Sequence, residues 1–586
     1  MSTEYTVLPF LLRALCVFSE LREPCVDLFV AFSPNSMSTF YIQQFGCRAT
    51  QADGAALECQ LLDRGCTPAP DPATACIVVL NTCTVTAAAD AQARDAIRKI
   101  HAQNPAAQLI VTGCYAQRAP EELASLPGVS WVVGNSHKPE ISQLVEMLST
   151  NSPSEASTNP PPSASNNFFP AAALHSGSTV PFHSFVGARH AVPSLGSFPH
   201  PIETTHLANI LTGNIFDHPE FLSAPIQGGE SHHTRPILKI QDGCNLRCSY
   251  CVIPFVRGKS RSLSPDEVIR EIQKLTASNS FPPANSKVGQ PILAVRSSNE
   301  GQSQHSIRAV HNPAREIVLS GINLGTYGRD LSPRIEFIDL IRRILDETPL
   351  ERLRISSIEP LDVTEDLIDL FASTIRIAQH FHMPLQSASD RILAAMHRWY
   401  RAEHYARRVE LIYDRLPNAA IGADVIAGFP GETEADHAAT VAFIERLPFT
   451  YLHVFSYSSR PGTKAATAPD QIPAPTIKRR ARELRSLAEQ KSAAFRYSQI
   501  GRTERVLTLH GNDENDSTAS ACAHTTPALS SNYLRVQVPG ILPSNLWQDV
   551  VITSEEGNYL VGEPTSTLCE SSEFGACPGP VGASLR

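Results

Sequence analysis

Short apolar runs alternate with amphipathic stretches in two parts of the chain. In the first part, residues 37–150, apolar runs at 39–44, 76–83 and 108–114 are separated by stretches of helical period, such as 88–103. A strand–helix–strand order indicates parallel pairing, because parallel strands need a crossover connection. The pattern therefore predicts a small parallel α/β domain.

The second part, residues 233–475, repeats this alternation over six units. Its apolar runs are ILKI, EIVLSG, RLRISSI, HFHMPL, IGADVIAGF and YLHVFSY, with helical patterns between them. Six such units predict an open, partial TIM barrel of type (β/α)6 rather than a complete eight-fold barrel. Residues 278–313 interrupt the series without a clear period, which predicts an inserted surface loop.

Composition and turn signals place the remaining boundaries. Residues 151–232 are rich in Ser, Pro, Asn and His and are expected to form a disordered linker. Residues 501–563 alternate apolar and polar positions between turn signals, which predicts a small antiparallel β-barrel. The rest is interpreted as a dispensable leader at 1–36, a basic connecting helix at 476–500 and a disordered tail at 564–586.

Charge and cysteine content narrow the class of protein. The 586 residues carry a net charge of -9, which argues against a chain-wide nucleic-acid-binding surface. No apolar run reaches the roughly 18 residues of a membrane span and no export signal is recognisable, so we expect a soluble, cytoplasmic monomer without a membrane partner. Fourteen cysteines are too sparse for a disulfide scaffold in a chain of this length. Free thiols or metal ligands are therefore expected.

Three cysteines, Cys244, Cys248 and Cys251, follow directly after the first predicted barrel strand. Barrel enzymes place their active-site loops at this end of the strands. Three thiolates can hold three irons of a cubane cluster and leave the fourth iron open to an external ligand. The alternative is a structural knuckle that binds zinc or no metal.

A second set of cysteines is dispersed in sequence. Cys47, Cys83 and Cys114 each follow a predicted strand of the first domain, and parallel strands that end on one edge can bring such positions together. We predict a second iron–sulfur cluster on these three thiols, against the alternative of buried, inert cysteines. The remaining cysteines of this domain, Cys59, Cys66 and Cys76, lack this placement and are interpreted as structural.

The segment CNLRCSYC, residues 244–251, resembles the signature of the radical S-adenosylmethionine (SAM) superfamily. Over residues 38–562, apart from the linker and insertions, the order of domains resembles the methylthiotransferases. Further segments carry that resemblance: NTCTVTAAAD, VTGCYAQRAP, RISSIEP, HMPLQSASD, DVIAGFPGETE and LHVFSYSSRPGT. The terminal β-domain resembles the RNA-binding TRAM module.

This resemblance implies two 4Fe-4S clusters and SAM as cofactors. The cluster on the barrel cysteines would generate a 5'-deoxyadenosyl radical, and the cluster on the dispersed cysteines would carry the sulfur. The resemblance is strongest to the branch that adds a methylthio group to C2 of N6-threonylcarbamoyladenosine at position 37 of tRNA. It implies the tRNA anticodon stem-loop and an electron donor such as flavodoxin or ferredoxin as partners.

Three alternatives stay open at this point. The same chemistry could act on N6-isopentenyladenosine at position 37 of tRNA or on an aspartate of a ribosomal protein. A different class is a non-enzymatic iron–sulfur protein that binds RNA.

The family's usual asparagine shortly after the first dispersed cysteine is absent here, where Arg48, Ala49 and Thr50 follow Cys47.

Other candidate residues rest on weaker signals. Polar or glycine positions at predicted barrel strand ends could contact SAM or substrate, or could only cap strands: Gly321, Glu359, Gln386, Ser387 and Asp424. Because residues 501–563 are more acidic than basic, the RNA-contact candidates lie on the connecting helix: Lys478, Arg479, Arg480, Arg482 and Arg485. A second basic group is Arg398, Arg401, Arg407 and Arg408.

Overall fold

A computed structural model describes residues 38–150, 208–218, 221–222, 234–277, 313–510 and 524–565. The predicted leader, nearly all of the predicted insertion and nearly all of the predicted tail lie outside these residues. Within the described part of the chain, no helix has the length and apolar character needed to cross a bilayer.

The first domain is a parallel sheet with strand order β2-β1-β3-β4-β5-β6. Its strands are β1 (Thr39–Gln44), β2 (Thr67–Pro68), β3 (Ile77–Thr82), β4 (Gln108–Gly113), β5 (Val129–Gly134) and β6 (Asn209–Leu211). Its helices are α1 (Arg48–Asp63), α2 (Ala87–Gln103), α3 (Cys114–Arg118), α4 (Pro120–Ala124) and α5 (Ile141–Thr150). Every residue of β3 is buried, as expected for a central strand with both faces covered.

The prediction of a disordered linker over residues 151–232 is wrong for one short segment. The segment Asn209–Leu211 forms β6 and pairs in parallel with β5. Leu211 and Leu222 pack against the apolar cluster on one face of the sheet. Two apolar side chains are enough to anchor a short edge strand, and the polar composition of the surrounding sequence hid this signal.

The second domain is the predicted open barrel. Its strands are β7 (Ile237–Asp242), β8 (Arg261–Ser262), β9 (Glu316–Gly321), β10 (Arg352–Ile355), β11 (His380–His382), β12 (Ala420–Ala427) and β13 (Tyr451–Ser456). Its helices are α6 (Ile253–Arg257), α7 (Pro265–Thr276), α8 (Phe337–Glu347), α9 (Glu365–Ser373), α10 (Asp390–Ala395), α11 (Ala402–Arg415) and α12 (Glu434–Arg446).

Six parallel strands run in the order β7, β9, β10, β11, β12 and β13. Single bridges, Leu353 to Ile377 and Ser357 to His382, join the two halves, and β8 pairs antiparallel to β7. A single apolar cluster from both halves and their helices forms the core. The predicted partial barrel is therefore confirmed.

The connecting helix is α13 (Ala474–Tyr497), which packs against β13 and leads into a closed five-stranded barrel. The barrel strands are β14 (Thr503–Thr508), β15 (Thr525–Leu529), β16 (Arg535–Pro539), β17 (Trp547–Glu556) and β18 (Tyr559–Pro564). The barrel is not wholly antiparallel as predicted, because the β17–β18 hairpin closes it with β18 parallel to β16.

Candidate active site

The dispersed cysteines converge because of the register of three neighbouring strands. Cys47 follows β1 at the start of α1, Cys83 follows β3 directly, and Cys114 follows β4 as the first residue of α3. Strands β1, β3 and β4 are adjacent, and Thr82 pairs with Gly113. All three cysteines therefore leave the sheet at the same edge, as the sequence predicts.

Two glycines make this approach possible. Gly46 has a φ of +95°, and a Cβ on it would lie 2.5 Å from the Cβ of Cys83. Gly113 has a φ of +102°, and a Cβ there would lie 2.6 Å from the amide nitrogen of Thr82. Both positions require a left-handed backbone and the absence of a side chain.

The three thiols influence one another electrostatically. Burial first, and then the neighbouring Cys114 and Cys47, raise the pKa of Cys83 to about 12. Thiolates crowded in this way need a compensating cation, and iron or zinc is the usual one. Among the described residues, no three His, Cys, Asp or Glu side chains converge closely enough for a single metal ion. A cubane cluster gives each thiolate its own iron, and so tolerates wider spacing.

The second cysteine triad lies on one loop. Gly243 follows β7 with a φ of +72°, and the Cys244 amide donates to the carbonyl of Gly258 at 3.1 Å. The Cys251 amide donates to the carbonyl of Cys248 at 3.1 Å. Loss of hydration first, and then the nearby Cys248 and Cys244, raise the pKa of Cys251 to about 12. This loop could hold three irons at the mouth of the barrel.

Arg398 contacts this second triad and was missed by the sequence analysis as a site residue. Its Nη1 lies 3.5 Å from the Sγ of Cys248, and its Nη2 forms an ion pair with Glu359. The side chain is buried, so its assignment to RNA contact is wrong. Cys248, Arg398, Glu359 and Asn323 line a pocket of about 140 Å³ beside the triad.

The helix that starts at Cys114 packs against the helix that follows the local triad. Helix α6 begins two residues after Cys251 and packs against α3, which begins at Cys114. The Nδ2 of Asn135 donates to the carbonyl of Val256 in α6 at 2.8 Å and lies 3.6 Å from the Sγ of Cys114. One amide therefore links the dispersed triad to the helix that follows the local triad.

A buried ionic cluster holds the first domain on the barrel. Asp53 of α1 pairs with Lys138 at 2.9 Å, with Arg257 at 3.0 Å and with Lys239. Arg257 also contacts Asp242 at 2.9 Å. Burial raises the pKa of Asp53, but Arg257, Lys138 and Lys239 outweigh it and hold that pKa well below its ordinary value. The only sequence signal was a charged residue within an otherwise apolar strand, Lys239 in ILKI.

A second interdomain ionic contact lies next to Cys83. Asp90 of α2 pairs with Arg118 at 2.9 Å and with Arg460, which follows β13. The hydroxyl of Thr84 donates to Asp90 at 2.6 Å and accepts from Arg460 at 3.0 Å. The ion pairs of Asp53 and those of Asp90 thus hold the cysteine edge of the first sheet over the open barrel.

The five strand-end candidates fall into three groups. Glu359 and Asp424 are partly exposed, and Glu359 lines the pocket beside Cys248. Gly321 packs against Gln241, whose Oε1 accepts from the Asn323 amide at 2.8 Å. The remaining two, Gln386 and Ser387, are buried and make local contacts: the Gln386 amide donates to the carbonyl of Asp424, and Ser387 contacts Thr440.

The basic helix α13 offers fewer RNA contacts than predicted. Arg480 is buried and pairs with Glu432 at 2.7 Å and Glu434 at 2.8 Å, so its assignment to RNA contact is wrong. Lys478, Arg482 and Arg485 are exposed. Arg479 is exposed as well, although it pairs with Glu434 at 2.6 Å. RNA contact by these four side chains stays a prediction.

Comparison with known proteins agrees with this arrangement. Residues 39–134 match the family model described as uncharacterized protein family UPF0004, and residues 238–280 and 305–444 match that of the radical SAM superfamily. A solved structure of the radical SAM methyltransferase TsrM from Kitasatospora setae aligns with a TM-score of 0.45 at 14% identity, over 73% of this chain and 76% of that chain. That likeness is too distant to bear on function.

Three curated relatives match most of the chain. The threonylcarbamoyladenosine tRNA methylthiotransferase MtaB of Aquifex aeolicus is 30% identical over 80% of this chain and 92% of its own length. MtaB of Bacillus subtilis is 30% identical over 78% and 82%. The tRNA-2-methylthio-N(6)-dimethylallyladenosine synthase of Syntrophobacter fumaroxidans is 29% identical over 89% and 95%. The chain belongs to the radical SAM methylthiotransferase family and is an enzyme.

Proposed function

We propose that this enzyme adds a methylthio group to C2 of N6-threonylcarbamoyladenosine at position 37 of tRNA. The observation that carries the proposal is that α3, which begins at Cys114 of the dispersed triad, packs against α6, which follows the local triad, with Asn135 bridging Cys114 and Val256 of α6. A sulfur-carrying centre must lie close to a radical-generating centre if both act on one carbon atom. The names of the relatives from Aquifex and Bacillus support this nucleoside.

The triads would hold two 4Fe-4S clusters, with Cys244, Cys248 and Cys251 on one and the dispersed cysteines on the other. When bound, these clusters and SAM would supply the radical and sulfur chemistry that an unreactive C–H bond requires. The side chains of the chain position these groups: Arg398 contacts Cys248, and Asn135 contacts Cys114. We further propose the anticodon stem-loop as the docking element of the tRNA and a flavodoxin or ferredoxin as electron donor.

Mass spectrometry of digested tRNA from a strain that lacks this chain tests the nucleoside. We expect loss of the 2-methylthio mark from N6-threonylcarbamoyladenosine alone. Loss from isopentenyladenosine alone would transfer the function to the substrate named for the Syntrophobacter relative. If tRNA is unchanged and a ribosomal-protein aspartate loses the mark, the RNA assignment itself fails.

Two triple variants test the clusters. After anaerobic reconstitution, the wild type should hold about eight irons, and C244A/C248A/C251A and C47A/C83A/C114A about four each. The first variant should lose reductive SAM cleavage, whereas the second should keep it and lose only sulfur transfer. A wild type that saturates near four irons, with C47A/C83A/C114A unchanged, would contradict the second cluster.

A further inference from the structure

A column of aromatic and imidazole rings lies between the small barrel and the open barrel. Tyr533 stacks on His380 with ring centroids 4.6 Å apart, and the Nε2 of His380 forms a 2.7 Å hydrogen bond with the hydroxyl of Tyr451, whose ring centroid lies 5.9 Å from that of His380. His382 follows at 5.8 Å from Tyr451, and His453 at 5.4 Å from His382. The column begins at the half-buried Tyr533, continues through the buried His380 and ends at the exposed His453. Such a surface can take a further planar base by stacking.

Two polar atoms in this column have no hydrogen-bond partner among the described residues, the Nδ1 of His380 and the Nε2 of His382. His382 is 8% exposed, and its Nδ1 lies 2.6 Å from the hydroxyl of Ser357. Its Nε2 is 3.3 Å from an oxygen of Asp424 but lacks hydrogen-bond geometry, and so is buried without a partner among the described residues. A buried polar atom of this kind requires a partner, and a water molecule or a ligand group can supply it.

Arg48 lies between the column and the dispersed triad. It follows Cys47, and its Nη2 lies 3.4 Å from the hydroxyl of Tyr533. The described residues place no carboxylate within salt-bridge distance of it. Its charge reaches the column: desolvation first, and then His382 and Arg48, lower the pKa of His453, although that residue keeps an exposed surface. Within the part of the chain that the structure describes, Arg48 is therefore a cation without a carboxylate counter-ion, next in sequence to Cys47.

We propose that Arg48 binds the carboxylate of the N6 substituent of the target adenosine, whose base stacks on the exposed end of the ring column. This inference rests on the proposed function. A guanidinium binds a carboxylate through two parallel hydrogen bonds, and the Tyr533 hydroxyl contacts its Nη2. An apolar N6 substituent would cover the same guanidinium without pairing it, which disfavours that substrate.

Three anticodon stem-loop RNAs test this proposal. They carry N6-threonylcarbamoyladenosine, its methyl ester or N6-isopentenyladenosine at position 37. The wild type should modify the acid with kcat/KM roughly 10- to 100-fold above the ester, because the ester loses a charge-assisted hydrogen bond. Arg48→Gln should reduce the acid-to-ester ratio to about one, mainly through KM, and Arg48→Lys should keep part of it.

Arg482→Gln is the matched control, because Arg482 is an exposed arginine of α13 and a candidate RNA contact. Its loss should affect all three RNAs equally and leave the acid-to-ester ratio unchanged. Iron content and the spectra of both clusters establish that each variant is intact. If Arg48→Gln loses a cluster, Tyr533→Phe takes its place and should lower the ratio severalfold; an unchanged ratio in Tyr533→Phe overturns the proposal.

The outcomes separate this inference from the proposed function. A wild type that modifies none of the three RNAs refutes the proposed function, and one that modifies only the isopentenyl RNA refutes the nucleoside and the role of Arg48 together. A wild type that prefers the acid, with an intact Arg48→Gln that keeps the same preference, refutes Arg48 alone.

Discussion

The two cysteine triads reach similar chemistry by different structural routes. Cys244, Cys248 and Cys251 lie within eight residues of one loop, whose backbone hydrogen bonds place them. Cys47, Cys83 and Cys114 span 68 residues, counted inclusively, and meet only because β1, β3 and β4 pair in one register. The local triad therefore depends on loop geometry, whereas the dispersed triad depends on the fold of a whole domain.

The largest effect is expected when a methyl group is added to the glycine beside each triad, Gly46 or Gly243. Gly46→Ala would push against Cys83 and should abolish the second cluster and sulfur transfer while SAM cleavage continues. Gly243→Ala would bring a Cβ within 2.6 Å of the carbonyl carbon of Lys259 and should abolish SAM cleavage. Iron content and 5'-deoxyadenosine formation measure the two losses separately.

Gly540→Ala is the matched control, since Gly540 has a φ of +93° and nothing within 4 Å of an added Cβ. It carries the same left-handed strain, of order 1 kcal/mol, without a clash. We expect full iron content and full activity. If Gly46→Ala behaves like Gly540→Ala, then close approach of Gly46 to Cys83 is not needed for the second cluster.

This comparison also explains what the sequence could predict. The local triad was recognisable because its three cysteines lie at short, fixed spacings within one segment. The dispersed triad was recognisable because each cysteine follows an apolar run that reads as a strand, such as CIVVLNTC before Cys83. Because the carboxyl ends of parallel strands lie at one edge of a sheet, the edge on which the cysteines meet could be predicted as well, whereas the register of the strands is seen only in the structure.

The contacts between domains could not be predicted in this way. Asp53, Lys138 and Arg257 lie far apart in sequence and carry no spacing that relates them. Arg398 and Arg480 were assigned to an RNA surface because phosphate contacts need basic residues and residues 501–563 are more acidic than basic, but each is buried against a glutamate. Sequence gives the sign of a charge, and tertiary packing decides whether that charge meets solvent.

An intermediate effect is expected from the ionic cluster that joins the domains. Asp53→Asn leaves three buried cations with a weaker partner and should cost roughly 3–5 kcal/mol of unfolding free energy. Because the pKa of Asp53 is held below its unfolded value, its stabilisation is present above about pH 4 and is lost as the pH falls. The difference from wild type in thermal unfolding should therefore shrink in acid.

Asp95→Asn provides the control, because Asp95 pairs with Arg98 on the exposed surface of α2 at 3.1 Å. A surface pair of this kind contributes about 0–1 kcal/mol, so the midpoint of unfolding should hardly move. If both variants unfold at the same temperature at neutral pH, the buried cluster does not stabilise the domain interface. If Asp53→Asn still cleaves SAM but no longer transfers sulfur, the buried ionic cluster around Asp53 also aligns the two triads.

The smallest effect compares one amide at each triad. Asn135 lies 3.6 Å from the Sγ of Cys114, and Asn323 lies 3.9 Å from the Sγ of Cys244. A hydrogen-bond donor near a cluster sulfur stabilises the reduced, more negative cluster, so loss of the donor lowers the reduction potential.

Asn135→Ala should lower the reduction potential of the second cluster by tens of millivolts, on the order expected for one hydrogen bond, and Asn323→Ala should lower that of the first by less. Redox titrations followed by electron paramagnetic resonance measure both shifts. Because Asn135 also bonds to Val256, its variant should loosen the packing of the first domain on α6, whereas Asn323→Ala should leave that packing intact. If the two variants shift the reduction potentials equally and loosen the packing equally, the dispersed triad is no more dependent on its surroundings than the local one.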